Sequence, residues 1–330
     1  YLVYLDVWSR HVTLIEDLLL REVALAGPDT TTRNQTIWQV KLVKLPALLG
    51  DLESADFGAY LPDPSLKMAA RAQGSQGYAS GAVLPPGAGY QRLDNLLYRV
   101  EIHQGGTLGK DAITYKWSRD NGTGVAAWTE QRGTDLVISY PGRDDDLGFA
   151  IGNWVELLDD GRELRGEPGL LVRVISVEGN VLTIDPGSYT VRREDFPQNP
   201  KIRRWDMVSV DVPQVSTDGW LLLEDGLEIA FSGSTEGCQA KSGDYWLIPA
   251  RTATRNVEWP QVDGQPQPLV RQGIQHDYAP LAQLQLDGET ISNFSDRRFI
   301  FPSLVDLRDV DPVRFEEMVY SHQHTGSADG

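Results

Sequence analysis

Short runs of alternating apolar and polar residues recur along the chain and predict β-strands. Residues 97–103 show the pattern, because Tyr98, Val100 and Ile102 fall on one face of an extended chain and the residues between them on the other. This alternation is typical of a half-buried antiparallel strand. Similar runs, rich in β-branched and aromatic residues, are YLVYLDVW, TIWQVKLVKL, LLYRVEIH, AITYKWS and DLVISY.

The densest strand pattern lies in residues 149–212. Three apolar runs there are separated by turn residues at 159–161 and 178–180, a spacing that predicts a small barrel or sandwich. A second β-rich region follows, in which the acidic residues and glycine at 224–226 predict a hairpin turn.

Other segments lack strand alternation. Residues 51–89 are rich in Gly, Pro and Ser and predict a long surface excursion, with a short helix or strand near 66–72. Residues 16–25 predict a short helix that stops before Gly27-Pro28, and 304–320 predict another, followed by a polar linker.

Together these patterns predict an all-β chain of several antiparallel sandwich or small-barrel modules with few short helices. We expect an N-terminal β domain over residues 1–148, a barrel-like module over 149–212, a β module over 213–303, and a helix with linker over 304–330. The barrel-like module is either a separate domain or an insertion between two halves of a larger unit. In the second case the strands on either side of it pair with each other.

Composition adds constraints on partners. The chain has 330 residues, 41% of them hydrophobic, which is enough for a sizeable core. Its 30 basic and 47 acidic residues give a formal charge of −17, which disfavours nucleic acid and anionic lipid as partners. No apolar run approaches the roughly 20 residues of a membrane span. Because the sequence opens directly at Tyr1, we expect it to be part of a longer polypeptide.

Several motifs resemble a known family. The runs YLVYLDVW, REVALAGPDTTTR, NLLYRVEIH, YKWSRDNG, GDYWLIPART and DRRFIFPSL are similar to a large bacterial family of unknown function. The resemblance implies the β-rich part of a surface protein similar to phage tail-fibre, baseplate or injection-system-associated proteins. It implies no catalytic residue, because that family has none assigned.

Catalytic chemistry finds little support in the sequence. The five histidines lie outside any nucleophile motif, and the single cysteine, Cys238, has no CxxC partner. Glycoside cleavage needs two facing carboxylates, and acidic residues are abundant. However, those at 159–161 and 224–226 are explained as turn residues.

Two clusters are candidate metal sites. Asp144 and Asp146 could contribute oxygen ligands to calcium, although their spacing departs from the alternating calcium-loop pattern and favours a solvated acidic turn. His322 and His324 would point the same way on an extended strand. In a trimer they would supply six imidazoles to a transition metal, whereas in isolation they fit a solvated linker.

Tryptophan is unusually frequent, with nine in the chain. Alternation places most of them in cores, namely Trp8, Trp38, Trp117, Trp154, Trp205 and Trp246. Trp128, Trp220 and Trp259 lie next to predicted loops and are candidates for stacking on a cell-surface glycan.

These observations favour a structural or receptor-binding module of a phage-tail-like or other extracellular appendage. We expect a homo-oligomer, with a trimer favoured, in contact with other particle proteins. The alternatives are a carbohydrate-active depolymerase on a tail spike and a filament or surface-layer subunit.

Overall fold

A computed structural model describes residues 1–26, 30–45, 64–74, 87–142, 148–187, 189–207, 212–234 and 237–298. Within these ranges the chain is built almost entirely from antiparallel strands, so the predicted all-β class is confirmed. The strands are β1 Leu2–Val12, β2 Arg33–Val43, β3 Lys67–Ala72, β4 Leu96–Gln104, β5 Gly106–Thr107, β6 Thr114–Ser118, β7 Val125–Arg132, β8 Asp135–Ile138, β9 Trp154–Leu158, β10 Leu170–Glu178, β11 Val181–Asp185, β12 Lys201–Trp205, β13 Leu221–Glu224, β14 Leu227–Ser232, β15 Gln239–Ala240, β16 Tyr245–Arg251, β17 Asn256–Val257, β18 Gln261–Val262, β19 Gln265–Pro266, β20 Leu269–Val270, β21 His276–Asp287 and β22 Thr290–Asp296.

Helical structure in the described ranges is limited to short pieces. The helix predicted over 16–25 is instead two separate 3-10 turns, Leu18–Leu20 and Val23–Leu25, because Asp17 and Glu22 each cap a new turn. The predicted turn at 159–161 is also different: Asp159 accepts a hydrogen bond from the Arg162 amide and starts helix α1, Asp160–Arg165. The segment near 66–72, where either a short helix or a strand is predicted, forms strand β3.

Packing divides the chain into two compact units. The first draws its described residues from 1–6, 39–60 and 278–330, and the second from 7–38 and 61–277. A four-stranded sheet in the order β2-β1-β21-β22 provides the strands of the first unit. Near its edge the Tyr1 ammonium donates to the Leu284 carbonyl at 2.7 Å, and the Leu284 amide donates back to Tyr1 at 2.8 Å.

The second unit contains a closed six-stranded barrel in the order β10-β11-β8-β7-β12-β9. Its core includes Trp128, Leu136, Leu157 and Ile202. Strands β7 and β8 precede residue 149, the predicted start of the barrel-like module. They belong to the barrel because β8 pairs with β11 and β7 with β12.

Two further sheets of the second unit combine strands from both sides of the barrel. They run in the orders β13-β14-β3-β20 and β17-β16-β4-β6 and enclose the larger core, which includes Tyr98, Trp117, Phe231 and Trp246. Strands β3 and β4, which precede the barrel, pair with β14 and β16, which follow it. The hairpin turn predicted at 224–226 joins β13 to β14, with Asp225 and Gly226 at positive φ.

Candidate functional site

The most buried charged cluster lies where β4 and β6 face the barrel strand β9. Lys116 Nζ donates to both carboxylate oxygens of Glu156 at 2.6 Å and lies 3.1 Å from Glu101 Oε1. The side chains of Lys116, Glu156 and Glu101 are 3%, 1% and 6% exposed, respectively. We call Glu101, Lys116 and Glu156 the Lys116 cluster.

Strand alternation explains why these charges are buried. On β6, Tyr115 and Trp117 enter the larger core, so Lys116 between them points to the opposite face. On β9, Val155 and Leu157 enter the barrel, so Glu156 points outwards. Both side chains are nevertheless buried, because the polar faces of the two layers meet.

The surroundings of Glu156 keep it ionised. The Trp205 indole donates to Oε2 at 2.9 Å and the Gly169 amide to Oε1 at 3.0 Å. Burial alone would raise the pKa of Glu156, but Lys116 outweighs that effect and holds it well below its usual range. Burial would likewise raise the pKa of Glu101, and Arg99 and Lys116 lower it. A closed, ionised pair has neither the proton nor the access that a general acid needs.

A second cluster surrounds Lys201 on β12. Oxygens of Glu16, Asp160 and Glu163 lie within 4.8 Å of one another, close enough to hold a cation. The Lys201 ammonium contacts all three carboxylates, at 2.6, 3.2 and 2.7 Å respectively. Burial would raise the pKa of Glu16, but the charge of Lys201 lowers it to about 2. Arg10 also contacts Asp160 and Glu163, so the lysine and the arginine together supply the positive charge that a metal would otherwise bring.

The segment 118–122, SRDNG, forms a third polar centre. Arg119 donates two hydrogen bonds to Glu224, at 2.7 and 2.6 Å, and Tyr98 donates to the same carboxylate at 2.8 Å. The Arg119 amide donates to Asp206 at 2.9 Å. Arg204 contacts Asp120 at 3.1 Å. A motif that the sequence analysis singled out thus ties β6 to the β13-β14 hairpin and to the chain after β12.

Asp244 is a buried carboxylate with a different balance. Burial raises its pKa to about 6, and Arg271, whose Nε lies 3.0 Å from Oδ1, only partly offsets this. The Lys241 amide also donates to Asp244, at 3.1 Å. Asp244 therefore titrates in a range where most carboxylates are already ionised.

The tryptophans differ from the expectation in part. Trp128 lies in the barrel core at 1% exposure and Trp259 in the larger core at 7%, so the predicted exposure of these two rings is wrong. Their indoles reach carbonyl partners, Glu130 and Gln267, which lets both rings bury fully. Trp220 is half-buried, with the Arg71 guanidinium 3.9 Å above its ring.

Trp38, expected in a core, is 68% exposed on β2. The other five tryptophans assigned to cores are buried. The candidate metal ligands Asp144, Asp146, His322 and His324 lie outside the described residues.

An open polar depression of about 490 Å³ lies on the described surface and is lined by residues 129–133 and 192–194. Its arginines already have partners: Arg132 contacts Glu130 at 2.9 Å, Arg192 contacts Asp195 at 3.1 Å, and Arg193 donates to the Trp128 carbonyl at 2.9 Å. The depression therefore offers paired charges to a ligand.

Sequence reasoning missed Lys116 and Lys201, the centres of the two buried clusters. The signal available was a lysine inside an apolar, aromatic strand: Lys116 stands between Tyr115 and Trp117, and Lys201 begins the run KIRRW. A lysine in such a strand indicates either a solvated face or a buried ion pair.

Comparison with known proteins gives a family but no relative of known activity. A model described as a family of unknown function, DUF6519, matches residues 1–55 and 59–292. No curated protein and no solved structure matches this chain. Within the described ranges, none of the helices has the length and apolar character needed to cross a membrane. Since the family model covers nearly the whole chain, this protein belongs to the family of unknown function DUF6519.

Proposed function

We propose that this chain is a non-catalytic structural module that works by oligomeric assembly and surface display. In this proposal it forms part of a phage-tail-like particle or a related extracellular appendage. The observation that carries it is the Lys116 cluster, because a glycosidase needs two carboxylates that face a substrate, yet here both buried carboxylates contact a lysine.

The other polar centres support the same reading. Arg119 and Glu224 form a closed bidentate pair, and Lys201 neutralises the carboxylates around it. Each arrangement ties separate β layers together and pairs the charges that it buries. Such a design suits a protein that bears load or presents a surface.

The test uses the full-length gene product, tagged and expressed in its native host. Extracellular material is fractionated by sedimentation, and the tagged protein is located by immunoblotting. We expect it to sediment with high-mass particles. Recovery only in the slow-sedimenting fraction would refute the assembly role.

A parallel assay incubates the purified protein with capsular polysaccharide and measures new reducing ends. We expect none above a buffer control. Release of reducing ends that disappears in Glu156→Gln, while Glu167→Gln retains it, would establish a depolymerase and overturn the proposal. Glu167 is a suitable control because its ion pair with Arg165 is exposed.

A further inference from the structure

Among the described residues of the first unit, one face of the sheet is apolar and largely exposed. The Asp6 and Lys41 side chains meet at 2.6 Å on the opposite face, so the residues alternating with them, such as Leu5 and Val40, point away from that pair. The reciprocal hydrogen bonds of Tyr1 and Leu284 place these two residues directly opposite each other. The pairing of β21 with β22 continues the same face. We call this set the apolar face: Tyr1, Val3, Leu5, Val40, Leu42, Leu284, Leu286, Ile291 and Phe294.

The hairpin of β21 and β22 shows how the two sides differ. Leu284 pairs with Phe294 and Leu286 with Ile291, so all four side chains share the apolar face. The alternate positions of this hairpin carry the polar residues Gln283, Gln285, Asp287, Thr290 and Asn293. Gln283 on that polar side is only 5% exposed, whereas the apolar Ile291 and Phe294 are 55% and 62% exposed.

We infer that the apolar face is the docking surface for a second copy of this chain, an inference that rests on the proposed function. On β2, the side chains of Val40 and Leu42 are also exposed, at 57% and 61%. At about 100 Å² for a complete apolar side chain, the six exposed members hold roughly 310 Å² of apolar surface. Since about 57% of an interface is apolar, this corresponds to roughly 550 Å² per partner, or about 1,100 Å² in total, just above the roughly 1,000 Å² that a specific interface needs.

Charge favours a copy of the chain at this place. Two chains of net charge −17 repel each other wherever their acidic surfaces meet. None of the nine side chains of the apolar face is acidic or basic, so two copies can meet there without desolvating a carboxylate. A basic partner would instead be drawn to the acidic surface. A neutral, self-complementary face is what a twofold contact requires.

The test is sedimentation velocity on this chain from about 1 to about 200 µM, a range that detects micromolar association. We expect a concentration-dependent dimer or higher oligomer. Ile291→Lys and Leu42→Lys should weaken association about 100-fold, because each copy loses apolar burial and gains a charge in the contact. Ile175→Lys is the matched control, since Ile175 on barrel strand β10 is 54% exposed, and it should associate as the wild type does.

Thermal melting of each variant checks that the fold is intact, which the exposure of these positions leads us to expect. A wild type that stays monomeric over the whole range would overturn the inference. So would association that Leu19→Lys abolishes and Ile291→Lys does not, since Leu19 is 91% exposed in the other unit. The particle assay separates this from the proposed function: a monomer that still enters particles refutes only the self-contact.

Discussion

Removing the charge of Glu156 should destabilise the protein strongly. In Glu156→Gln, Lys116 loses the carboxylate that both its short hydrogen bonds reach and keeps only Glu101, at 3.1 Å. Breaking a buried pair by removing one partner costs about 3–5 kcal/mol, because it leaves an uncompensated charge. We expect about 3 kcal/mol here, since Glu101 still offsets part of that charge.

The assay is urea denaturation followed by tryptophan fluorescence, with thermal melting beside it. For a unit of about 250 residues, 3 kcal/mol corresponds to a melting temperature lower by about 6–12 °C. Glu167→Gln, which removes an exposed pair with Arg165, should leave the transition unmoved. The double variant Lys116→Met with Glu156→Leu should cost clearly less than the two single losses added together, because no charge is left unpaired.

Acid provides an independent readout of the same pair. The pKa of Glu156 is held well below its usual value, so its contribution is fully present above about pH 4.3, the unfolded value. It is lost only as the pH falls through the lowered folded pKa, and Glu156→Gln should lack this loss. A cost below about 1 kcal/mol for Glu156→Gln, or equal acid sensitivity in variant and wild type, would refute the idea that the pair is desolvated.

Three further predictions concern the other polar centres. Asp244 has a pKa raised to about 6, so it contributes stability at low pH that is lost as the pH rises from about 3.8 through 6. Between pH 4 and 7, the free energy of unfolding in urea should fall by roughly 2–3 kcal/mol more in the wild type than in Asp244→Asn. Arg119→Lys cannot reproduce the bidentate pair with Glu224 and should lower the free energy of unfolding by about 1–3 kcal/mol. A variant as stable as the wild type would show that the two parallel hydrogen bonds of the guanidinium do not stabilise the fold. Lys201→Met leaves Glu16 without its cation, while Arg10 still contacts Asp160 and Glu163; it should lower the free energy of unfolding in urea by about 3 kcal/mol, and an unchanged transition would show that the buried ammonium is not needed.

Alternation in the sequence was sufficient to predict the strands, because burial on one face fixes a period of two. Strands β1, β2, β4 and β6 lie where the apolar pattern placed them. Glycine and acidic residues also located the β13-β14 hairpin correctly, because a tight turn needs positive φ at its centre. Strand alternation and turn formation depend on residues close together in the chain, so the local sequence is enough to predict them.

Long-range pairing could not be predicted in the same way. The pattern of DLVISY gives a strand, but nothing in it specifies that β8 joins β11 to close the barrel. The same limit applies to Trp128, which follows a predicted loop and is buried because its indole finds the Glu130 carbonyl. From sequence alone, the polar face of a strand is expected to contact solvent. The contact of Lys116 with Glu156 depends on two layers packing their polar faces together, which the sequence does not show.

The pairing of β3 and β4 with β14 and β16 has a consequence for synthesis on the ribosome. The barrel is complete once Trp205 has emerged, whereas β4 must wait for β16, about 140 residues after its own end. At about 5–20 residues per second, that delay is roughly 7–28 s, during which β4 has only β6 beside it and lacks β16. Nascent chains of this protein therefore depend on chaperones most in that interval, and a translational pause between residues 205 and 245 would increase their aggregation.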